Sequence, residues 1–238
     1  MINGYSAEQI RAAERPHLAA GEPLMQRAAA GLADEIRAVL RDRVALHPGS
    51  AGRILLLVGS GDNGGDGLFA GAELAAEGAR VTIVATGSSM HEAGLAAALA
   101  GGAHLATAAP LDDFRLAALA DLAAREDVIV DAIVGTGTSP NPALRGAARD
   151  IVAAILPAAS AQDGPAVVAV DIPSGIDPTD GSVPDPAVLP ADVTVTFGGV
   201  KAGLLLPPAS GLAGRVRLID IGLGPDLARL TPIVQRPE

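Results

Sequence analysis

The chain has 238 residues, enough to bury a sizeable core as one domain, and its balance of 49% apolar to 18% charged residues excludes disorder. A net charge of −10 with no Lys/Arg cluster on one face excludes a nucleic-acid partner, and the lack of cysteine excludes disulfides, thiolate catalysis and zinc–thiolate sites. No apolar run reaches the roughly 18 residues of a membrane span, and the opening "MINGYSAEQIRAAER" lacks the apolar core and cleavage site of a secretory signal, so no membrane and a cytoplasmic location are expected.

The N-terminal stretch reads as a helix. Ser6 and Gln9 fit a capping box, each side chain satisfying a free backbone N–H, and Pro16 predicts the helix end. A second helix begins near Pro23, with Leu24, Ala28, Leu32, Ile36 and Val39 forming one apolar stripe. Residues 47–52 read as a loop. An alternation follows: strand 54–58, helix 67–77, strand 81–85, helical segments at 91–100 and 112–125, and strand 128–130 ending at Asp131. Helix 143–159 and strand 166–170, ending at Asp171, continue it. That order predicts right-handed crossovers and an α/β fold whose mostly parallel central sheet carries helices on both faces. After Asp192 come strands at 193–197, 204–206 and 216–221 joined by Gly/Pro turns. Residues 1–230 read as a single domain and 231–238 as a loose tail, which fits either a free C-terminus or the start of a linker to a further domain.

Ligands of an open parallel sheet bind beyond the carboxyl ends of its strands. Three segments bring polar residues there: "GSGDNGGDG" after the first strand of the alternation, "DAIVGTGTSPN" after the third and "DIPSGIDPTDG" after the fourth. The first matches G-x-G-x-x-G at Gly59, Gly61 and Gly64. The acid that would hold ribose hydroxyls about 20 residues on is missing, because the second strand ends "IVATG", which weakens an ordinary dehydrogenase. No Lys-Ser/Thr pair follows the glycines, so there is no P-loop, and Ser60 and Ser174 lack the glycines of a hydrolase elbow. Asp62, Asp66, Asp131 and Asp171 gather at this edge. Packed carboxylates repel, so some hold a proton or a cation sits among them. Asp177 and Asp180 read as turn residues.

"GSGDNGGDGLFAGAELAAEGARV", "DAIVGTGTSPNPALRG", "VVAVDIPSGIDPTDG" and "DVTVTFGGVKAGLLL", in this order, resemble the motifs of the YjeF N-terminal family, that of the NAD(P)HX epimerases, and the resemblance spans nearly the whole chain. It implies a Rossmann-like three-layer sandwich. It also implies a repair activity, the interconversion of the R and S epimers of hydrated NADH or NADPH at C6 of the nicotinamide ring. The implied partners are the NADHX or NADPHX substrate, an ADP- or ATP-dependent dehydratase that is separate or fused, and a second copy in a homodimer. Carried onto this chain, Asp62, Asn63, Gly64, Gly65 and Asp66 contact the hydrated dinucleotide. Gly135, Thr136, Gly137, Thr138, Ser139, Pro140 and Asn141 run along its phosphates. A potassium ion is held by Asn63, Asp131 and Ser174. Asp171 binds the ligand and is the first candidate for proton transfer, with Asp66 the second. Two departures stand out: Asp62 replaces the family's usual Asn, and "VKAG" replaces Lys-Pro-Gly. Lys201, the only lysine in the chain, is left open between a solvated surface residue and a site residue. The alternative function is a non-catalytic nucleotide-sensing or scaffold protein of the same fold, against which the intact Asn63, Asp131, Asp171 and Ser174 set speaks.

Overall fold

The structure is a computed structural model that describes residues 1–46, 52–106, 111–137 and 141–237. Its elements run β1 (Ile2–Tyr5), α1 (Ala7–Ala19), α2 (Leu24–Leu46), β2 (Arg53–Val58), α3 (Asp62–Ala76), β3 (Arg80–Ala85), α4 (Glu92–Ala100), β4 (His104–Ala106) and α5 (Asp113–Ala123). They continue with β5 (Val128–Ala132), α6 (Gly146–Ala159), β6 (Ala166–Val170), β7 (Val193–Phe197), β8 (Val200–Lys201), β9 (Arg215–Ile219), α7 (Gly224–Leu227) and β10 (Val234–Arg236).

Seven strands form one sheet in the order β4-β3-β2-β5-β6-β7-β9, every neighbouring pair parallel, as the Rossmann-like expectation requires. Its central strands are covered on both faces, which is why β2 and β6 are continuous apolar runs. In β2, Ile54, Leu56 and Val58 join a core with Leu32 and Ile36 of α2 and Leu68 of α3, whereas Leu55 and Leu57 join a second core with Leu119 of α5 and Ile151 of α6. The stripe predicted on α2 is buried at all five positions. The chain winds from β2 to β3 and β4 in one direction and from β5 onwards in the other. The switch point, where such sheets open a crevice, therefore lies between β2 and β5.

Several boundaries differ from the sequence reading. The capping box at Ser6 and Gln9 is present, but α1 runs through Pro16 to Ala19. The proline falls in the last turns, where its missing N–H costs a single bond, and its own carbonyl accepts from Ala20 N at 3.0 Å. The helix expected at 67–77 starts five residues earlier at Asp62, so the glycine segment is the first turn of α3. Glycine disfavours helix, but here close packing decides: a Cβ on Gly64 would lie 2.2 Å from Gly59 O, and one on Gly67 2.6 Å from Ala132 Cβ. The apolar run at 204–206 is not a strand. A 3-10 turn, Ala202–Leu205, buries Leu204 and Leu205 in a third cluster with Ile172, Ile176 and Val188. The tail is not loose in its described part, because β10 pairs antiparallel with β1, which pairs in parallel with β8. Of the loop expected at 47–52, residues 47–51 lie outside the described residues.

Candidate functional site

The loops after β2 and β5 meet at the switch point. Gly59 N donates to Ala132 O at 3.0 Å, and a Cβ on Gly59 would sit 1.8 Å from Ile133 O, so only glycine fits. Gly61, the N-cap of α3, has an extended backbone and no side-chain cap, and nothing lies within 4 Å of its Cβ position. The first N–H groups of α3 therefore have no side-chain acceptor from the cap, a helix end suited to anions.

Beside this helix end opens a cleft of about 500 Å³. Its walls are Asp62, Asn63 and Asp66 of α3, Gly135, Thr136 and Gly137 after β5, Asp171 after β6, Phe197 and Lys201, and Arg11 and Glu14 of α1. A second hollow of about 270 Å³ shares Ser60, Val134, Gly135 and Gly137 with it and reaches Asn141. Seven of the expected ligand residues thus line one cleft and Asn141 the adjoining one. Gly64 and Gly65 are buried in the packing of α3, Gly65 against Met25 Cε and the His91 ring. Thr138, Ser139 and Pro140 lie outside the described residues.

Asp171 sits at φ 68°, the left-handed region that a non-glycine residue seldom occupies and that aspartate tolerates better than most. Its N–H donates to Val195 O at 2.7 Å. Its Oδ1 accepts from Lys201 Nζ in an ion pair, from Thr196 Oγ1 at 3.2 Å and from Phe197 N at 3.4 Å. Lys201 is 2% exposed, and its ammonium also donates to Phe197 O at 2.9 Å. A buried ammonium needs such partners, so Lys201 belongs to the site and not to the surface. Its status as the chain's only lysine, placed after a strand-ending glycine pair, was the available signal.

Asp66 is buried in the same cleft and has no hydrogen-bond partner among the described residues. Burial, then the charges of Asp171 and Asp62, push its pKa to about 8 against the pull of Lys201. Glu14 and Arg11 went unnoticed in the sequence because α1 precedes the alternating pattern. Burial, helped by Asp171 and Asp62, raises the Glu14 pKa against Lys201. Arg11 Nη1 donates to Thr136 O and so ties α1 to the loop after β5. Asp177 is the turn residue expected, its Oδ1 accepting from Thr179 N and Asp180 N.

Asp131 and Ser174 are both buried and in contact. Asp131 accepts from Ser174 Oγ at 2.6 Å, from Ser174 N at 2.8 Å and from Ile133 N at 3.3 Å. Every one of these partners is neutral, and burial raises the Asp131 pKa. Val134 N donates to Ser174 Oγ at 2.9 Å. Asn63 Oδ1 lies 2.8 Å, and Asp171 Oδ2 3.2 Å, from where a Cβ on Gly135 would stand, so that glycine keeps both side chains clear. Asn63 Nδ2 is buried without a partner. Among the described residues no three His, Cys, Asp or Glu converge as a metal cluster. The donors on offer are instead hard oxygens around one carboxylate that no cationic side chain neutralises, a set that fits an alkali cation.

A family model described as YjeF-related protein N-terminus matches residues 21–203. The NAD(P)H-hydrate epimerase of Clavibacter michiganensis subsp. michiganensis is 54% identical over 235 residues, covering 99% of this chain and 96% of the relative. That of Microbacterium testaceum is 44% identical over 98% of this chain and 84% of its own length. The bifunctional NAD(P)H-hydrate repair enzyme Nnr of Mycobacterium tuberculosis is 42% identical over 96% of this chain but 43% of its own length. Among solved structures, the yeast protein ynu0 superposes with a TM-score of 0.65 at 20% identity, covering 85% of this chain and 83% of that one, and shares the fold.

Proposed function

The chain belongs to the YjeF-related N-terminal family, and on that footing we propose that it is an isomerase interconverting the R and S epimers of hydrated NADH and NADPH. Its product, the S form, would feed a dehydratase that restores the cofactor. The observation that carries this reading is a buried carboxyl, Asp66, lining the cleft beside the Asp171–Lys201 ion pair, where burial pushes its pKa up to about 8. The C6 hydroxyl is a poor leaving group until protonated. A general acid with a pKa near the working pH is the group needed, and it contributes about 10²–10⁴-fold. As the C–O bond breaks, the ring nitrogen's lone pair fills the gap and gives a planar cation. Water then adds at C6.

Asp171 would lie against the ligand, and its ion pair with Lys201 leaves the proton to Asp66. The phosphates would lie toward the open N–H groups at the start of α3 and toward Gly135, Gly137 and Asn141. Asn63, Asp131 and Ser174 would hold a potassium ion, whose charge would offset the acids beside a polyanionic ligand. The test is direct: purified (R)-NADHX incubated with the protein should reach its mixed equilibrium, read by chromatography, much faster than the blank. Tight binding of NADPH without any acceleration would favour the sensing alternative.

A further inference from the structure

Resting on the epimerase reading, we propose that Glu14 of α1 is the second proton-transfer group of the cleft, serving the face of the nicotinamide ring opposite to the one Asp66 serves. Inversion at C6 requires a hydroxyl to leave from one face and water to enter at the other. By microscopic reversibility, whichever group protonates the leaving hydroxyl on one face must accept a proton from water on that same face in the reverse direction. A carboxyl fixed on one helix meets one face of a bound ring, so the reaction calls for two groups, one protonated and one not in each turnover.

The cleft narrows the choice. Asp171 is committed to Lys201, Thr196 and Phe197. Asp62 is exposed at the first turn of α3. Asp131 is bonded to Ser174 and is not among the cleft-lining residues. Asp66 and Glu14 remain, both lining the cleft and both without a hydrogen-bond or ion-pair partner among the described residues. They stand on different helices, α3 and α1. Ile10 and Ala13 bury one stripe of α1, and along its edge Arg11 and Glu14, three residues apart, line the cleft. Arg11 pins that edge to Thr136. Burial raises the pKa of both groups, and an ionised Glu14 raises that of Asp66 further, so the pair favours holding one proton between them. The helix lies outside residues 21–203, the stretch that the family model matches.

The step balances without any co-reactant. Asp66 gives its proton to the C6 hydroxyl, the C6–O bond breaks, and water departs with the electron pair. A second water forms the new C6–O bond on the opposite face and gives a proton to Glu14. Solvent exchange then returns the pair to its starting state.

The experiment follows label and configuration together, with each epimer incubated separately in H₂¹⁸O. The wild type should incorporate ¹⁸O with inversion. E14Q should lose inversion by about 100-fold or more. From the epimer whose hydroxyl faces Asp66, it should still exchange oxygen with retention, since Asp66 alone can expel and readmit water on its own face. D66N should show the reciprocal pattern from the other epimer. E14D, which keeps the carboxyl one methylene back, should invert faster than E14Q, and melting temperatures no lower than that of the wild type check that the fold is intact. E14Q inverting at the wild-type rate overturns the proposal, as does loss of exchange and inversion together from both epimers. A wild type with neither exchange nor inversion above the blank overturns the epimerase reading itself and this proposal with it.

Discussion

Asp66 holds a proton where an exposed aspartate would not, and this has a sign that stability measurements read. Its pKa is about 8 in the fold against an ordinary 3.8. Between those values the native state keeps a proton that the unfolded chain has lost, so the unfolded state binds fewer protons and stability falls as pH rises through this window. Asn at this position has nothing to lose. D66N should match the wild type near pH 4 and melt several degrees higher at pH 8, each ~1 kcal/mol being worth roughly 2–4 °C in a chain of this size. An equal difference at both pH values would place the effect elsewhere. Lys201 gives a second measurement. Removing one partner of a buried pair costs about 3–5 kcal/mol, so K201M should be strongly destabilised, and adding D171N should recover much of that loss in a double-mutant cycle. The carboxylates were legible because each follows a strand that ends at the ligand edge. The Asp171–Lys201 pair was not, because it depends on the turn at Gly198 and Gly199 that brings the Lys201 ammonium back to Phe197 O and Asp171.

At the scale of elements, α3 shows where local propensity yields to packing. Three glycines in its first two turns argue against helix, yet Gly64 and Gly67 are what let it lie against β2 and β5. G67A should cost about 1–3 kcal/mol, since the new methyl must displace Ala132 Cβ. G61A meets nothing within 4 Å and should leave the melting temperature almost unchanged while weakening ligand binding at the helix end. Denaturant titration of the two variants separates packing from binding. The sequence carried α1 and α2 well, one by its capping box and the other by its stripe. It missed β4, β8 and β10, which are only three, two and three residues long and too short to show a period.

For the molecule as a whole, the parallel sheet and its switch point were written in the order of apolar runs and polar strand ends, because the central strands are covered on both faces. The wall supplied by α1 was not, since nothing local says that the chain's first helix returns to the far end of the sheet. The potassium proposal belongs to this scale, because Asn63, Asp131 and Ser174 come from three separate segments. Potassium should raise the melting temperature of the wild type and leave that of D131N unmoved, whereas an equal shift in both would remove Asp131 from the site. The central claim is tested most directly by coupling. Mixed NADHX epimers are treated with excess S-specific dehydratase and its nucleotide until the S form is gone, and this protein is then added while NADH absorbance is followed. The account predicts a second rise far faster than the uncatalysed blank; a rise at the blank rate from folded protein would contradict it.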